Sequence, residues 1–193
     1  MKTKKILTAL LTGALVAGTM TVAAMAQEET ASVSVWDGTS YSLDWLSTGN
    51  PEATAGDKFY LNSADDLAGF AHYVNTYAST NNIFTGDTVY LNVDVDLNNK
   101  DWNPIGTAFP REKNRFYGSF DGQGHTISNL KVADGHYFAG LFGQIPTYTY
   151  TQEFKNITIN NANVVAEDET ASGKSKEAAG ALIGRANGAI LDN

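Results

Sequence analysis

The stretch Phe116–Val132, which reads FYGSFDGQGHTISNLKV, constrains the fold of this chain more than any other. Over residues 116–120, apolar or small residues alternate with polar and aromatic ones, which is typical of a half-buried β-strand. The segment that follows, Asp121–Gly124, favours a turn, because glycine tolerates positive φ and aspartate can bond its own backbone. The sequence therefore predicts a strand that ends in a tight turn.

A corner is predicted shortly after this turn. Ile127 and Leu130 are three positions apart, which breaks the strict alternation of a β-strand. The chain must therefore bend at Ser128 and Asn129, and asparagine is the non-glycine residue that adopts the left-handed conformation most readily. The order strand, turn, strand, corner and strand predicts one coil of a parallel solenoid.

The corner pattern recurs along the chain, as a repeat architecture requires. The segment ISNLKV at 127–132 returns as INNANV at 159–164, offset by 32 residues, and LDN begins it again after another 32. Asn129, Asn161 and Asn193 are therefore expected at equivalent corners. Their side-chain amides are expected to bond one to the next between coils.

A second repeat separates the copies of the first. Leu141–Gly143 returns as Leu182–Gly184 after 41 residues, and the extra length belongs to a charged loop at Ala166–Glu177. A single coil is too thin to bury its apolar face, whereas coils stacked about 4.8 Å apart form a continuous core. The repeats thus predict an all-β fold, a right-handed parallel β-helix.

An amphipathic helix is predicted over Ser63–Tyr77, ahead of the repeats. Ser63 can cap it, and Asp65 and Asp66 lie in the first turn, where the helix dipole favours negative charge. Apolar residues from Leu67 onwards recur at spacings of three and four and form one stripe. We expect this helix to close the N-terminal end of the β-helix and to shield its open strand edge.

The chain divides into three predicted parts: a signal peptide at 1–26, a leader at 27–58 and the capped β-helix at 59–193. Within the leader, Gln27–Ser34 is expected to be disordered. Within the β-helix, Thr88–Leu97 is read as one strand with its apolar residues on one face. The last coil stops in mid-pattern, so we expect an incomplete β-helix, a fragment of a longer protein or a truncated product, whose open edge can pair with another strand.

Residues 1–26 have the composition of a secretory signal peptide. A basic Met1–Lys5 precedes an apolar segment at 6–22, and Ala24 and Ala26 form an A-x-A cleavage pattern. Cleavage would remove three lysines and change the net charge from −8 to −11. An acidic chain is a poor partner for nucleic acid or anionic membranes, and the lack of cysteine excludes disulfides. A secreted or bacterial cell-surface location is expected.

Several segments resemble GLUG-motif repeat proteins: WNPIG at Trp102–Gly106, the stretch Phe116–Val132, and AGLFG at Ala139–Gly143. The helix Ser63–Tyr77 and DVDL at Asp94–Leu97 are similar to the leader that precedes such repeats. The resemblance implies a right-handed parallel β-helix on an exported, often cell-surface, bacterial protein. Such repeats occur in large putative adhesins and beside the protease domain of some immunoglobulin-A-cleaving metalloenzymes, so no single activity is implied.

The sequence predicts no metal site and no cofactor. Asp94, Asp96 and Asn98 have the opening spacing of a calcium-binding EF-hand loop. That loop needs glycine at its sixth position and glutamate at its twelfth, where this chain has Asn99 and Ile105. The two carboxylates are therefore expected to be solvated on the outer face of a strand.

No catalytic residue is predicted either. His125 follows the turn, and the sequence places no nucleophile or carboxylate beside it, so we expect a structural histidine that bonds a neighbouring coil. His136 lies in a loop and is interpreted in the same way, and His72 is expected at the partly exposed side of the helix. The motifs HExxH and GxSxG and the Walker loop are absent from the sequence.

An extracellular, non-catalytic repeat scaffold of the adhesin type is the expected function, with host or glycan surfaces bound through loops. Tyr148, Tyr150 and Phe154 offer a stacking surface for sugars, although aromatic residues in strands more often serve packing. Two alternatives stay open, the leader of a larger secreted metalloprotease and a carbohydrate-active β-helix enzyme. The enzyme would use a groove of carboxylates and basic residues. Its candidates are Asp94, Asp96, Arg111, Lys113 and Arg115.

Overall fold

The computed structural model describes residues 32–52, 56–77, 83–106, 114–133, 135–146, 151–166 and 178–192. All of them belong to one compact unit, Ala31–Asn193. The signal peptide predicted at 1–26, nearly all of the loop predicted at 166–177, and Asn193 lie outside the described residues. No helix in the described ranges is long and apolar enough to cross a membrane.

Short β-strands form most of the regular structure in these ranges. They are accompanied by one α-helix, α1 (Ala64–Tyr77), and one 3-10 helix (Asp44–Thr48). The strands are β1 (Ser34–Val35), β2 (Lys58–Leu61), β3 (Thr88–Leu91), β4 (Val95–Asp96), β5 (Ser119–Asp121), β6 (Thr126–Ser128), β7 (Lys131–Val132), β8 (Phe138–Ala139), β9 (Phe142–Ile145), β10 (Glu153–Lys155), β11 (Thr158–Asn160), β12 (Asn163–Val164), β13 (Ala178–Ala179), β14 (Ile183–Ala186) and β15 (Ile190–Asp192).

The described strands pair in parallel throughout. The largest sheet has five strands in the order β15-β10-β5-β3-β2, and a second has four in the order β1-β4-β6-β11. Three further sheets pair β12 with β7, β13 with β8, and β14 with β9. The described part of the chain is therefore mostly β, in parallel sheets with a single α-helix, which agrees with the predicted all-β class.

The register of these sheets matches the offsets found in the sequence. Ile127 pairs with Ile159, 32 residues later, and Phe142 pairs with Ile183, 41 residues later. The predicted order around the first copy also holds: β5, a turn, β6, the corner at Asn129 and then β7. Segments that are similar in sequence thus lie side by side in the same direction.

The corner asparagines adopt the conformation that the sequence predicts. Asn129 and Asn161 have φ values of 57° and 55°. Asn161 Nδ2 donates to Asn129 Oδ1 at 2.6 Å, and Asn129 Nδ2 donates to Asp96 Oδ1 at 2.8 Å. The predicted amide contact between corners is therefore confirmed for Asn129 and Asn161, and Asp96 extends it to the preceding corner.

Helix α1 forms where the sequence predicts it. The Ser63 hydroxyl accepts a hydrogen bond from the backbone N–H of Asp66 at 3.0 Å, which caps the first turn. Leu67, Phe70 and Val74 are completely buried, so the predicted apolar stripe is confirmed up to this point. The predicted stripe does not continue to the end of the helix, because Tyr77 is half exposed.

An aromatic core lies beneath α1. The Phe70 ring has its centroid 5.1 Å from that of Phe116 and 5.5 Å from that of Phe84, both edge to face. The Trp45 and Phe120 rings lie 5.8 and 6.2 Å from it. Edge-to-face pairs at these distances stabilise a core beyond the gain from burial alone. The helix is therefore anchored to β5 and to the segments before β3 and β5.

Thr88–Leu97 is not one strand, which corrects the prediction. β3 ends at Leu91, β4 begins at Val95, and the two strands belong to different sheets. The side chains of Val89, Leu91, Val95 and Leu97 are all buried, whereas Val93 at the bend is half-buried. The chain turns while its apolar residues keep facing the core, so alternation alone did not reveal the bend.

Residues 32–34, the described part of the segment predicted to be disordered, are ordered, which corrects the prediction there; residues 27–31 lie outside the described residues. Ser34 lies in β1 and pairs with Val95, and its hydroxyl accepts a hydrogen bond from the Ala64 N–H at 2.8 Å. Trp36 and Trp45 are both buried in the core. Burying two indoles gives this segment enough apolar contact to offset the cost of ordering it.

Replacing Asn129 tests the corner, because alanine and glycine remove different contributions. Both variants lose the amide contacts, but only Asn129→Ala also forces a Cβ-bearing residue without a local hydrogen bond into the left-handed region. We expect Asn129→Gly to lower the free energy of unfolding by about 1–2 kcal/mol and Asn129→Ala by about 2–4 kcal/mol, measured by urea denaturation. Equal losses in the two variants would show that the backbone conformation contributes nothing.

Candidate functional site

Asp94 contacts His125. The sequence predicts a solvated carboxylate at Asp94, so this contact is a correction. Asp94 Oδ1 lies 3.0 Å from His125 Nδ1 and accepts a hydrogen bond from the Thr126 N–H at 2.9 Å. The Thr126 N–H, followed by the His125 side chain, lowers the pKa of Asp94. His125 bonds to the neighbouring segment, as predicted for a structural histidine. The partners are 31 residues apart, so only the register of the sheet brings them together.

Asp96 has a similar role at the next corner. Its Oδ1 accepts hydrogen bonds from the Asn98 N–H at 2.7 Å and from Asn129 Nδ2 at 2.8 Å. Asn98 and Asn99 both have positive φ, so Asp96 holds a left-handed turn. In the part of the chain that the structure describes, no cluster of three or more histidine, cysteine or acidic side chains could hold a metal ion.

The remaining candidate residues from the sequence lie in the core, on the surface or outside the described residues. Phe154 is 1% exposed and belongs to the core, which agrees with packing, the use that the sequence favoured for aromatic residues in strands, and excludes it from a sugar-stacking surface. Tyr148 and Tyr150 lie outside the described residues, as do Arg111 and Lys113 of the alternative catalytic groove. Both Arg115 and His136 are half-buried, and His72 is exposed on α1.

A cleft lies between the N-terminal segment 36–41 and the outer side of α1, with a volume of about 390 Å³. We call it the α1 cleft and define it by Trp36, Tyr41, His72 and Trp102 with the polar side chains around them. In the sequence, the segment 35–45 mixes aromatic residues with turn formers and predicts no ligand site. The signal that could have identified it is the DGTS run after Trp36, which is typical of a turn held by aspartate.

Two tryptophans form the floor of the α1 cleft. The rings of Trp36 and Trp102 meet edge to face with centroids 5.4 Å apart. Trp36 Nε1 donates to the Ser40 carbonyl at 2.8 Å, and Trp102 Nε1 donates to the Leu141 carbonyl at 3.1 Å. Because both indole N–H groups are satisfied and both rings are buried, the floor is apolar and rigid.

Tyr41 and His72 form the exposed aromatic wall. Their rings are stacked with centroids 4.2 Å apart and planes inclined by 20°. Tyr41 is 51% exposed. One face of its ring is supported by the imidazole, and the exposed remainder is available to a ligand.

A turn held by Asp37 builds the rim beside Tyr41. Asp37 Oδ1 accepts hydrogen bonds from the N–H groups of Thr39 and Ser40, both at 2.7 Å, and the Ser40 hydroxyl donates to Oδ2 at 2.6 Å. These bonds, with the Ser40 hydroxyl first, hold the pKa of Asp37 far below its usual range. Gly38 has φ of 94°, a conformation that glycine adopts without strain.

The opposite wall is tied down by Asn75 of α1. Its Nδ2 donates to the Pro104 carbonyl at 3.0 Å, and its Oδ1 accepts a hydrogen bond from the Gly106 N–H at 2.9 Å. Gly69 lets the segment before the 3-10 helix cross α1 closely, since a Cβ there would lie 1.7 Å from the Ser42 carbonyl oxygen. The walls of the cleft are thus positioned by backbone contacts on both sides.

In the described ranges the chain has parallel sheets, one α-helix, and beside that helix an aromatic cleft whose lining has no lysine, arginine or acidic side chain. In sequence, the chain is 29% identical over 164 residues to halomucin from Haloquadratum walsbyi. The match covers 80% of this chain but 2% of halomucin, so this chain spans a very small part of that protein's length. No family model matches the chain, and no solved structure matches it.

The contact between Asp94 and Thr126 predicts a pH dependence of stability. The pKa of Asp94 is lowered in the folded state, so its contribution is fully present above the unfolded pKa of about 3.9 and is lost as the pH falls through the folded value. Asp94→Asn keeps an oxygen acceptor but cannot ionise. We expect the variant to be less stable at pH 7, with the difference shrinking below about pH 4. Urea denaturation from pH 7 to about pH 2.5 measures this, and a constant difference would contradict it.

Proposed function

We propose that this protein is a secreted, non-catalytic scaffold, built as a right-handed parallel β-helix closed at its N-terminal end by α1. Its role is to present binding surfaces to host or glycan ligands at the bacterial cell surface. The resemblance of Phe116–Val132 to GLUG-motif repeats and the signal peptide at 1–26 belong to this proposal as predictions from the sequence.

One row of outward residues carries the proposal. Tyr60 pairs with Tyr90, Tyr90 with Asp121, Asp121 with Lys155, and Lys155 with Asp192. Successive members are 30 to 37 residues apart in the sequence, which is the length that one coil of a solenoid uses. Parallel strands in one sheet are joined by right-handed connections in nearly all proteins, which supports the proposed hand.

The row beside it faces inward and supports the same architecture. Phe59, Val89, Phe120 and Phe154 pair in succession, and each is almost completely buried. Leu191 follows Phe154 in the row and is 60% exposed, because β15 is an edge strand of its sheet. An apolar residue on an open edge favours pairing with another strand, which we include in the proposal as a partner contact.

A carbohydrate-active enzyme is the second candidate, and the pair of Asp94 and His125 is the observation that favours it. A carboxylate that orients an imidazole is the arrangement of a general base. Both side chains are about one-third exposed, so a substrate could reach them. The scaffold is preferred because Asp94 also accepts the Thr126 N–H, and Asp96 is engaged by Asn98 and Asn129.

Spin labels test the proposed stacking, because the chain has no cysteine and each label site is unique. Tyr60 and Asp192 stand four strand spacings apart in the five-stranded sheet, whereas Asp121 and Asp192 stand two apart. With cysteines introduced at these pairs, we expect backbone separations of about 19 Å and about 10 Å, measured by electron paramagnetic resonance. Distances that do not increase with the number of strands would overturn the β-helix.

A turnover assay separates the scaffold from the enzyme. The purified chain is incubated with neutral and acidic polysaccharides, and new reducing ends and unsaturated products are measured. We expect none, because the carboxylates of Asp94 and Asp96 hold the backbone. Turnover that is lost in both Asp94→Ala and His125→Ala, but kept in the control Asp44→Ala at an exposed carboxylate, would establish the enzyme instead.

A further inference from the structure

We propose that the α1 cleft binds an uncharged saccharide, with one pyranose ring packed on the exposed face of Tyr41. The inference rests on the proposed function in one respect, since it assigns a ligand class and a place to the surface that the scaffold presents.

The size of the α1 cleft suits part of a sugar chain. Its volume of about 390 Å³ falls in the range of small-molecule sites, which is roughly 300–1,000 Å³. Thr39, Tyr41, Thr76 and Asn103 are exposed around it, so the cleft is open to solvent along its rim. An open cleft can take one or two rings while the rest of the chain extends into solvent.

The charge of the cleft selects a neutral ligand. Its lining contains no lysine, arginine, aspartate or glutamate. Asp37 lies next to it, but both of its carboxylate oxygens are bonded within their own turn. Recognition of phosphate or carboxylate groups normally uses charge-assisted hydrogen bonds from cationic side chains, and this lining has neither lysine nor arginine. Its one histidine, His72, is stacked on the Tyr41 ring. Nucleotides and uronic acids therefore fit it less well than neutral hexoses.

The surface chemistry of the cleft matches the two kinds of surface on a pyranose. The C–H face of the sugar packs against an aromatic ring, and its hydroxyl groups need donors and acceptors at the edge. Tyr41 supplies the exposed ring, Trp36 and Trp102 the apolar floor, and Thr76 and Asn103 hydroxyl and amide groups at the rim. A few polar groups around an apolar surface are what fixes the orientation of a ligand in such sites.

Calorimetric titration tests the assignment with defined probes: cellotetraose, maltotetraose, mannotetraose and triacetylchitotriose. Trigalacturonate is the anionic comparison, which is needed because the Lys100 side chain lies against Gly38 at the rim. We expect at least one neutral probe to bind and trigalacturonate to bind more weakly. Tyr41→Ala should weaken the neutral probe about tenfold, and Tyr41→Phe, which keeps the ring, should restore most of that loss.

The chain offers a matched control in Tyr60. It is also an exposed tyrosine stacked on another ring, with its centroid 5.3 Å from that of Tyr90 and the planes inclined by 20°. Tyr60→Ala should therefore leave saccharide affinity unchanged. Circular dichroism of each variant shows that it is folded. The fluorescence of Trp36 and Trp102, which lie beneath the cleft, reports binding without calorimetry.

Three outcomes would overturn the proposal. The first is that no neutral probe binds, and the second is that trigalacturonate binds more tightly than the neutral probes. The third is that Tyr41→Ala and Tyr60→Ala lose the same amount of saccharide affinity. None of these affects the spin-label distances, which judge the scaffold separately. If the spin-label distances are as expected and no saccharide binds in the α1 cleft, the saccharide proposal is overturned and the proposed scaffold function stands.

Discussion

Parallel pairing between strands is the constraint on which the rest of this structure depends. It places each residue directly beside its partner, about 4.8 Å away. The two side chains must therefore be able to pack together or hydrogen-bond, although they are roughly one repeat apart in the sequence. Inside, aromatic and branched side chains satisfy this requirement, as in the row of Phe59, Val89, Phe120 and Phe154. Outside, amides satisfy it, because an amide both donates and accepts, and Asn92 bonds Asn62 in this way.

The same constraint explains why the carboxylates of Asp94 and Asp96 are structural in the proposed function. Asp94 lies just before β4 and Asp96 at its end, next to backbone N–H groups that have no strand partner. Asp94 accepts the N–H of Thr126 and Asp96 that of Asn98. Ligand binding is then left to a region outside the paired strands. The α1 cleft is such a region, since a helix and a turn form its walls.

The local elements could be predicted because their signals are local. The turn after Phe120, the corner at Asn129 and the cap at Ser63 each depend on a few adjacent residues with defined conformational preferences. The bend inside 88–97 could not be predicted in this way, because the residues on both sides of it keep alternating towards one core. For Phe154 the sequence favoured packing but left a sugar-stacking surface open, because burial depends on what lies in the adjacent strand.

By itself, the sequence determined the β class, the helix, the repeat offsets and the corner conformation, because repetition and turn chemistry are written in neighbouring residues. Only the tertiary structure decided the cleft. Trp36, His72 and Trp102 belong to three separate segments, and they meet because Gly69 lets the chain near Ser42 cross the helix closely. That approach depends on a missing side chain opposite a distant backbone, and no local pattern in the sequence records it.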